Sequence, residues 1–154
     1  MQTLDAMIVS HGQPSAPEPA EKALSEFVAQ VQSVIPGIRL GAATLAAPGR
    51  LEEVLPRLTP GAPVYPMFMS DGWFVKTALA RRLADAPVRV MTPLGLEPTL
   101  PELAADALNA ASAQQVLLVA HGSANARPAP ERAARDFAKA LETAQPDLSV
   151  TVGF

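Results

Sequence analysis

Cysteine is absent from this chain of 154 residues. Disulfides, thiolate metal sites and cysteine nucleophiles are therefore excluded. Histidine is nearly absent too, with only two in the whole sequence. No dense block of Lys or Arg occurs and the net charge is −3, which argues against a general nucleic-acid binder. A small acidic excess still leaves room for basic residues to line one cleft. No apolar stretch approaches the roughly 18 residues that would suggest a membrane span. The opening MQTLDAMIVS lacks a basic n-region and carries Asp5 before a run too short for a signal peptide. The expected location is the cytoplasm, with neither nucleic acid nor membrane as partner.

What is present describes an ordinary globular protein, large enough for one compact domain or one domain plus part of another. Short apolar runs alternate with longer segments of helical period. Residues 5–10, 38–44, 62–69, 87–93, 114–120 and 148–154 read as strands. Their nearly continuous apolar character is that of strands buried on both faces. Segments 19–35, 50–58, 74–85, 100–112 and 128–144 read as helices. Ala23, Phe27, Val31 and Val34 share one face of the first, and Ala133, Phe137 and Leu141 one face of the last. Strict alternation of strand and helix predicts an α/β fold, a parallel sheet with helices on both faces.

The chain also repeats itself. A shift of 110 residues lays His11-Gly12 on His121-Gly122, Val9 on Val119, Glu21 on Glu131, Phe27 on Phe137 and Pro36 on Pro146. Lys22 with Arg132 and Val31 with Leu141 are conservative matches in the same ungapped frame. This reads as a duplication: a first lobe over residues 1–113, and over 114–154 the β-α-β beginning of a second, incomplete repeat. An incomplete unit with an apolar strand at its edge invites pairing of chains into a homo-oligomer.

Both histidines thus fall at the carboxyl end of a predicted parallel strand, where open α/β sheets bind ligands. Imidazole titrates near neutrality and suits borderline transition metals. A histidine so placed can also do no more than hydrogen-bond a neighbouring loop. Other chemistries lack their signatures. There is no GxxxxGK[ST] for ATP and no GxSxG nucleophile elbow. A histidine phosphatase would carry Arg just before the nucleophilic His, where Ser10 and Ala120 stand.

A strand running into SHG or AHGS, then a helix with Glu and Phe six apart (Glu21–Phe27, Glu131–Phe137), then VTVGF, resembles the class II chelatases. Within them the chain is most similar to the CbiX and SirB type. YPMFMSDGWFV (65–75) falls where that family has F-L-x-x-G-x-H-V. The resemblance implies a lyase that inserts Co²⁺ or Fe²⁺ into sirohydrochlorin without ATP, in cobalamin or sirohaem synthesis. The tetrapyrrole is the expected partner and the metal a substrate, with no tightly bound cofactor. His11 and His121 are the expected catalytic and metal-handling residues. Ser10, Gly12, Trp73, Lys76, Ser123 and Arg127 are expected at the substrate, with Arg81 and Arg82 as further cationic anchors for its carboxylates.

The pattern breaks at one point. The family's second histidine aligns with Phe74, which binds no metal, and the glutamate expected after the second strand is missing from TLAAPG (44–49). The alternative is therefore a chelatase-fold protein that binds metal or tetrapyrrole without turnover. Trp73, the only Trp, could stack on a flat macrocycle or plug a lost site. Met67 and Met69 are expected in the core, and Asp71-Gly72 in a turn.

Overall fold

The computed structural model describes residues 2–121 and 128–154. It divides into two packed units, Met1–Phe68 with Trp73–Pro93, and Met69–Gly72 with Leu94–Phe154.

The first unit is built on four parallel strands, β1 (Ala6–Ser10), β2 (Leu40–Thr44), β3 (Ala62–Pro66) and β4 (Val88–Val90), in the order β2-β1-β3-β4. Between β1 and β2 runs α1 (Pro17–Val34); α2 (Arg50–Val54) and a 3₁₀ turn follow β2. A π-helical turn, Phe74–Leu79, leads into α3 (Ala80–Leu83) before β4. Alternation along β1 explains how both sheet faces are covered. Met7 and Val9 point to one side, with Leu51, Val54, Leu79 and Leu83 of the α2 and α3 layer. Ile8 points to the other, with Leu24 and Val28 of α1. The strand order turns back at β1, which places α1 on one face and α2 and α3 on the opposite one when every crossover is right-handed.

The stripe of α1 that meets the sheet is Leu24, Val28 and Val31. Phe27 and Val34, expected on the buried face, are exposed, Val34 by 75%. The apolar arc of this helix is wide, and the sheet takes the side about one residue over from the expected one. β3 stops at Pro66, short of the expected Met69, because its neighbour β4 offers only three residues to pair with. Met67 still packs against the α1 layer, whereas Met69 is exposed.

The second unit holds α4 (Leu100–Ala110), β5 (Gln115–Val119), α5 (Pro128–Ala144) and β6 (Ser149–Gly153). α4 packs on α5 rather than closing the preceding lobe, and Ala105, Leu141 and Leu148 form the centre of this unit's core. β5 and β6 pair in parallel with Val116 opposite Val150 and Val119 opposite Gly153. Offset by 110 residues, these are the pairs Ala6–Leu40 and Val9–Ala43 of β1 and β2. An edge contact recurs at the same offset. Gln32 Oε1 accepts the Leu40 N–H at 2.8 Å and Glu142 Oε1 accepts the Val150 N–H at 3.0 Å. One expectation fails here: β5 is not buried on both faces. Leu117 and Val119 are 65% and 72% exposed, because the helices of this unit cover one side of a two-stranded sheet only.

Candidate functional site

In a sheet ordered 2-1-3-4, the crevice lies beyond the carboxyl ends of β1 and β3, where the connections diverge to opposite faces. Ser10, His11 and Gly12 leave β1 at that point. Phe68, Trp73 and Phe74 follow β3.

His11 is held from three sides. Its Nδ1 lies 2.7 Å from the Gly12 carbonyl oxygen. A carbonyl can only accept, so Nδ1 carries the proton and Nε2 keeps its lone pair, the tautomer suited to binding a metal or accepting a proton. The Phe74 ring meets the imidazole edge to face, with centroids 4.1 Å apart. Phe68 stacks near-parallel to Phe74 at 6.4 Å, and Trp73 meets it at 5.2 Å and 78°. Trp73 and Phe74 remain partly exposed, so the imidazole sits beside an open aromatic wall. Among the described residues no three His, Asp or Glu side chains come together as a metal cluster. The first unit therefore presents one histidine where the family pattern has two.

The backbone beneath His11 is fixed by the loop after β2. Leu45 N–H donates to the Ser10 carbonyl at 2.9 Å and Ala46 N–H to the His11 carbonyl at 3.0 Å. Gly12 has φ +73°, and a Cβ there would lie 2.7 Å from Thr44 Cβ. Only glycine fits both the left-handed backbone and the space. Thr44 is the buried polar residue of the unit, and its Oγ1 accepts the Ala47 N–H at 3.3 Å.

Two arginine–carboxylate clamps hold this loop, and sequence reasoning assigned neither. Glu21 on α1 accepts the Thr44 N–H at 2.6 Å and the Arg50 Nε–H at 2.9 Å, and Arg50 also reaches Glu53. On the other side Arg82 donates to the Leu45 carbonyl at 3.0 Å and to both oxygens of Glu52 at 2.7 and 2.8 Å. These bonds from Arg82 lower the Glu52 pKa below its ordinary value. Arg82 is thus a structural clamp, not an anchor awaiting substrate. The one sequence signal for Glu21 was its recurrence as Glu131.

Of the remaining candidates, Ser10 ends β1 half-buried, and Lys76 and Arg81 are exposed on the π-helical turn and α3. His121 belongs to the second unit, follows β5, and is exposed. It borders a cavity of about 270 Å³ whose other walls include Leu118, Ala134 and Phe137. Ser123 and Arg127 lie outside the described residues.

No protein-family model matches the sequence, and no curated protein matches it significantly. Two solved structures do. One is CbiX, described as the terminal enzyme for biosynthesis of sirohaem in denitrifying bacteria, at 36% identity and TM-score 0.76, covering 97% of this chain and 68% of that one. The other is the sirohydrochlorin chelatase SirB from Bacillus subtilis subspecies spizizenii in complex with cobalt, at TM-score 0.68, covering all of this chain and 68% of that one. At 16% identity the second shows the fold alone. With more than a third of its residues shared with CbiX over nearly its whole length, the chain belongs to the CbiX/SirB-type class II chelatases.

Proposed function

We propose that this protein inserts a divalent metal, Co²⁺ or Fe²⁺, into sirohydrochlorin without ATP, serving cobalamin or sirohaem synthesis in the cytoplasm. The observation that carries the reading is His11. Its Nδ1 is tied to the Gly12 carbonyl, so Nε2 offers an unprotonated lone pair at the mouth of the β1–β3 crevice. Metal insertion needs such a group. The macrocycle gives up two pyrrole N–H protons as the dication enters, so the ring core stays neutral and two protons leave. A neutral imidazole can take one of these protons or hold the incoming ion. The exposed rings of Trp73 and Phe74 suit the face of a planar macrocycle.

In this reading Ser10, Gly12, Trp73, Lys76, Ser123 and Arg127 serve the tetrapyrrole, and His121 is the second metal-handling imidazole. The metal passes through as a substrate and no cofactor stays bound. The shared register at an offset of 110 residues supports a lobe followed by the opening of its duplicate. Chains pairing into a homo-oligomer through the second sheet fit that arrangement.

A second reading is favoured by one contact. Phe74 packs against His11 at 4.1 Å, where the family places a second histidine. A protein of this kind would bind metal or tetrapyrrole without turnover. Absorbance of sirohydrochlorin on adding Co²⁺, followed with this chain, His11→Ala and His121→Ala, separates the two. Acceleration that falls in a histidine variant supports insertion. Binding of the macrocycle with no acceleration over metal alone supports the second reading and overturns the first.

A further inference from the structure

The outer edge of β2 carries a second binding feature. β2 meets β1 through its odd-numbered residues: the Arg39 carbonyl accepts from Asp5 and Ala6, and Leu45 N–H donates to Ser10. Its even-numbered N–H groups therefore point to the open edge. α1 caps two of them, Leu40 through Gln32 and Thr44 through Glu21. Such caps protect an edge strand against pairing with another chain. Between them, on the same outward alternation, lies Ala42.

At this place a cavity of about 310 Å³ opens within the first unit, lined by β2, α1 and the α2 segment. Its walls hold two arginines, Arg50 and Arg57, the Ser25 side chain and no carboxylate. Arg50 is already engaged by Glu21 and Glu53. Arg57 is different. Its Nε is buried and makes no hydrogen bond among the described residues. A buried guanidinium donor without an acceptor is costly, whereas a planar oxyanion can satisfy it through paired N–H···O bonds. The rest of the lining, including Leu4, Val28 and Val54, is apolar.

We propose that this cavity binds a small organic carboxylate, its oxygens on Arg57 and the Ala42 N–H and its aliphatic body on Leu4, Val28 and Val54. The site stands apart from His11 and is independent of the chelatase reading. The apolar walls select against a bare inorganic oxyanion, which would leave them unfilled. The absence of acidic side chains from the lining selects against amines.

The test is an ¹H–¹⁵N NMR titration of the full chain with hexanoate, hexanamide and inorganic phosphate, following the Arg57 Nε–H and Ala42 N–H signals. Hexanoate should move both, and hexanamide neither. Arg57→Gln should weaken hexanoate about tenfold or more, the loss of one charge-assisted hydrogen bond. Ala29→Trp, at an exposed lining position of α1, should close the cavity with the fold intact, and binding should fall likewise. No movement with hexanoate, equal response to hexanamide, phosphate binding in preference to hexanoate, or unchanged affinity in both variants would each overturn the proposal.

Discussion

Replacing Gly12 with Ala tests the anchoring of His11 without touching the imidazole. Two costs add. At φ +73° a residue with a Cβ pays about 1 kcal/mol relative to glycine. The new Cβ would also stand 2.7 Å from Thr44 Cβ, 2.9 Å from Thr44 Oγ1 and 3.0 Å from Ala46 Cβ, and overpacking of this kind costs about 1–3 kcal/mol. Little can give way. Thr44 is fully buried, its N–H is held by Glu21 and its hydroxyl accepts from Ala47. The expected destabilisation is therefore about 2–4 kcal/mol, a large part of the roughly 5–15 kcal/mol that holds a domain folded.

Urea unfolding of the parent, Gly12→Ala, Thr44→Gly and the double variant separates the two costs. Thr44→Gly removes the two tightest contacts, so in that background Gly12→Ala should cost about 1 kcal/mol, the backbone part alone. A loss below about 0.5 kcal/mol in the single variant would refute the left-handed constraint. Strict additivity of the double variant, within about 0.5 kcal/mol, would refute the steric one.

Phe74→His would set a second imidazole against His11, and Co²⁺ affinity should rise about tenfold or more, read by calorimetry and by the visible spectrum of the bound ion. A folded variant with no gain would show that Phe74 is not what keeps His11 a lone ligand. Glu21→Ala leaves the Thr44 N–H without its acceptor and should cost about 1–3 kcal/mol. Glu21→Gln keeps an acceptor and should cost less, so equal losses in urea unfolding would count against the clamp. Hydrogen bonds from Arg39 lower the Asp5 pKa from 3.8 to about 2. A depressed carboxylate stabilises the fold above its unfolded pKa and loses that contribution as pH falls, here from about 4 to about 2. Asp5→Asn should flatten that limb of the stability profile, and an unchanged limb would reject the assignment.

The legible and illegible parts of this protein divide on physical grounds. β1 and β2 were readable because their residues are apolar on both sides, as a doubly covered parallel strand demands. The position of His11 followed from the strand that ends just before it. The face of α1 was misread since Ala23, Leu24, Phe27, Val28 and Val31 form an arc wider than the contact, and only the sheet decides which part is used. β5 misled for the opposite reason: VLLV is as apolar as β1, yet Leu117 and Val119 face outward. Composition reports what a strand could bury, not whether a layer is there to bury it. The clamp of Glu21, Thr44 and Arg50 joins residues more than twenty positions apart, and such pairings leave no local pattern.

The repeat sharpens this point, because it holds the scaffold constant. β1–β2 and β5–β6 share their register residue for residue at an offset of 110, and the Gln32 cap has its counterpart in Glu142. The residues at the strand ends differ. Thr44, which packs on Gly12 and accepts from Ala47, corresponds to Phe154. That ring is half exposed and lies under the Arg135 guanidinium at 5.2 Å. Phenylalanine has no hydroxyl to accept a loop N–H, so the anchoring beneath His11 cannot be copied beneath His121. The same strand can thus deliver two histidines to equivalent places and leave their chemistry unequal, because the connection that leaves the strand sets the environment of the side chain at its end.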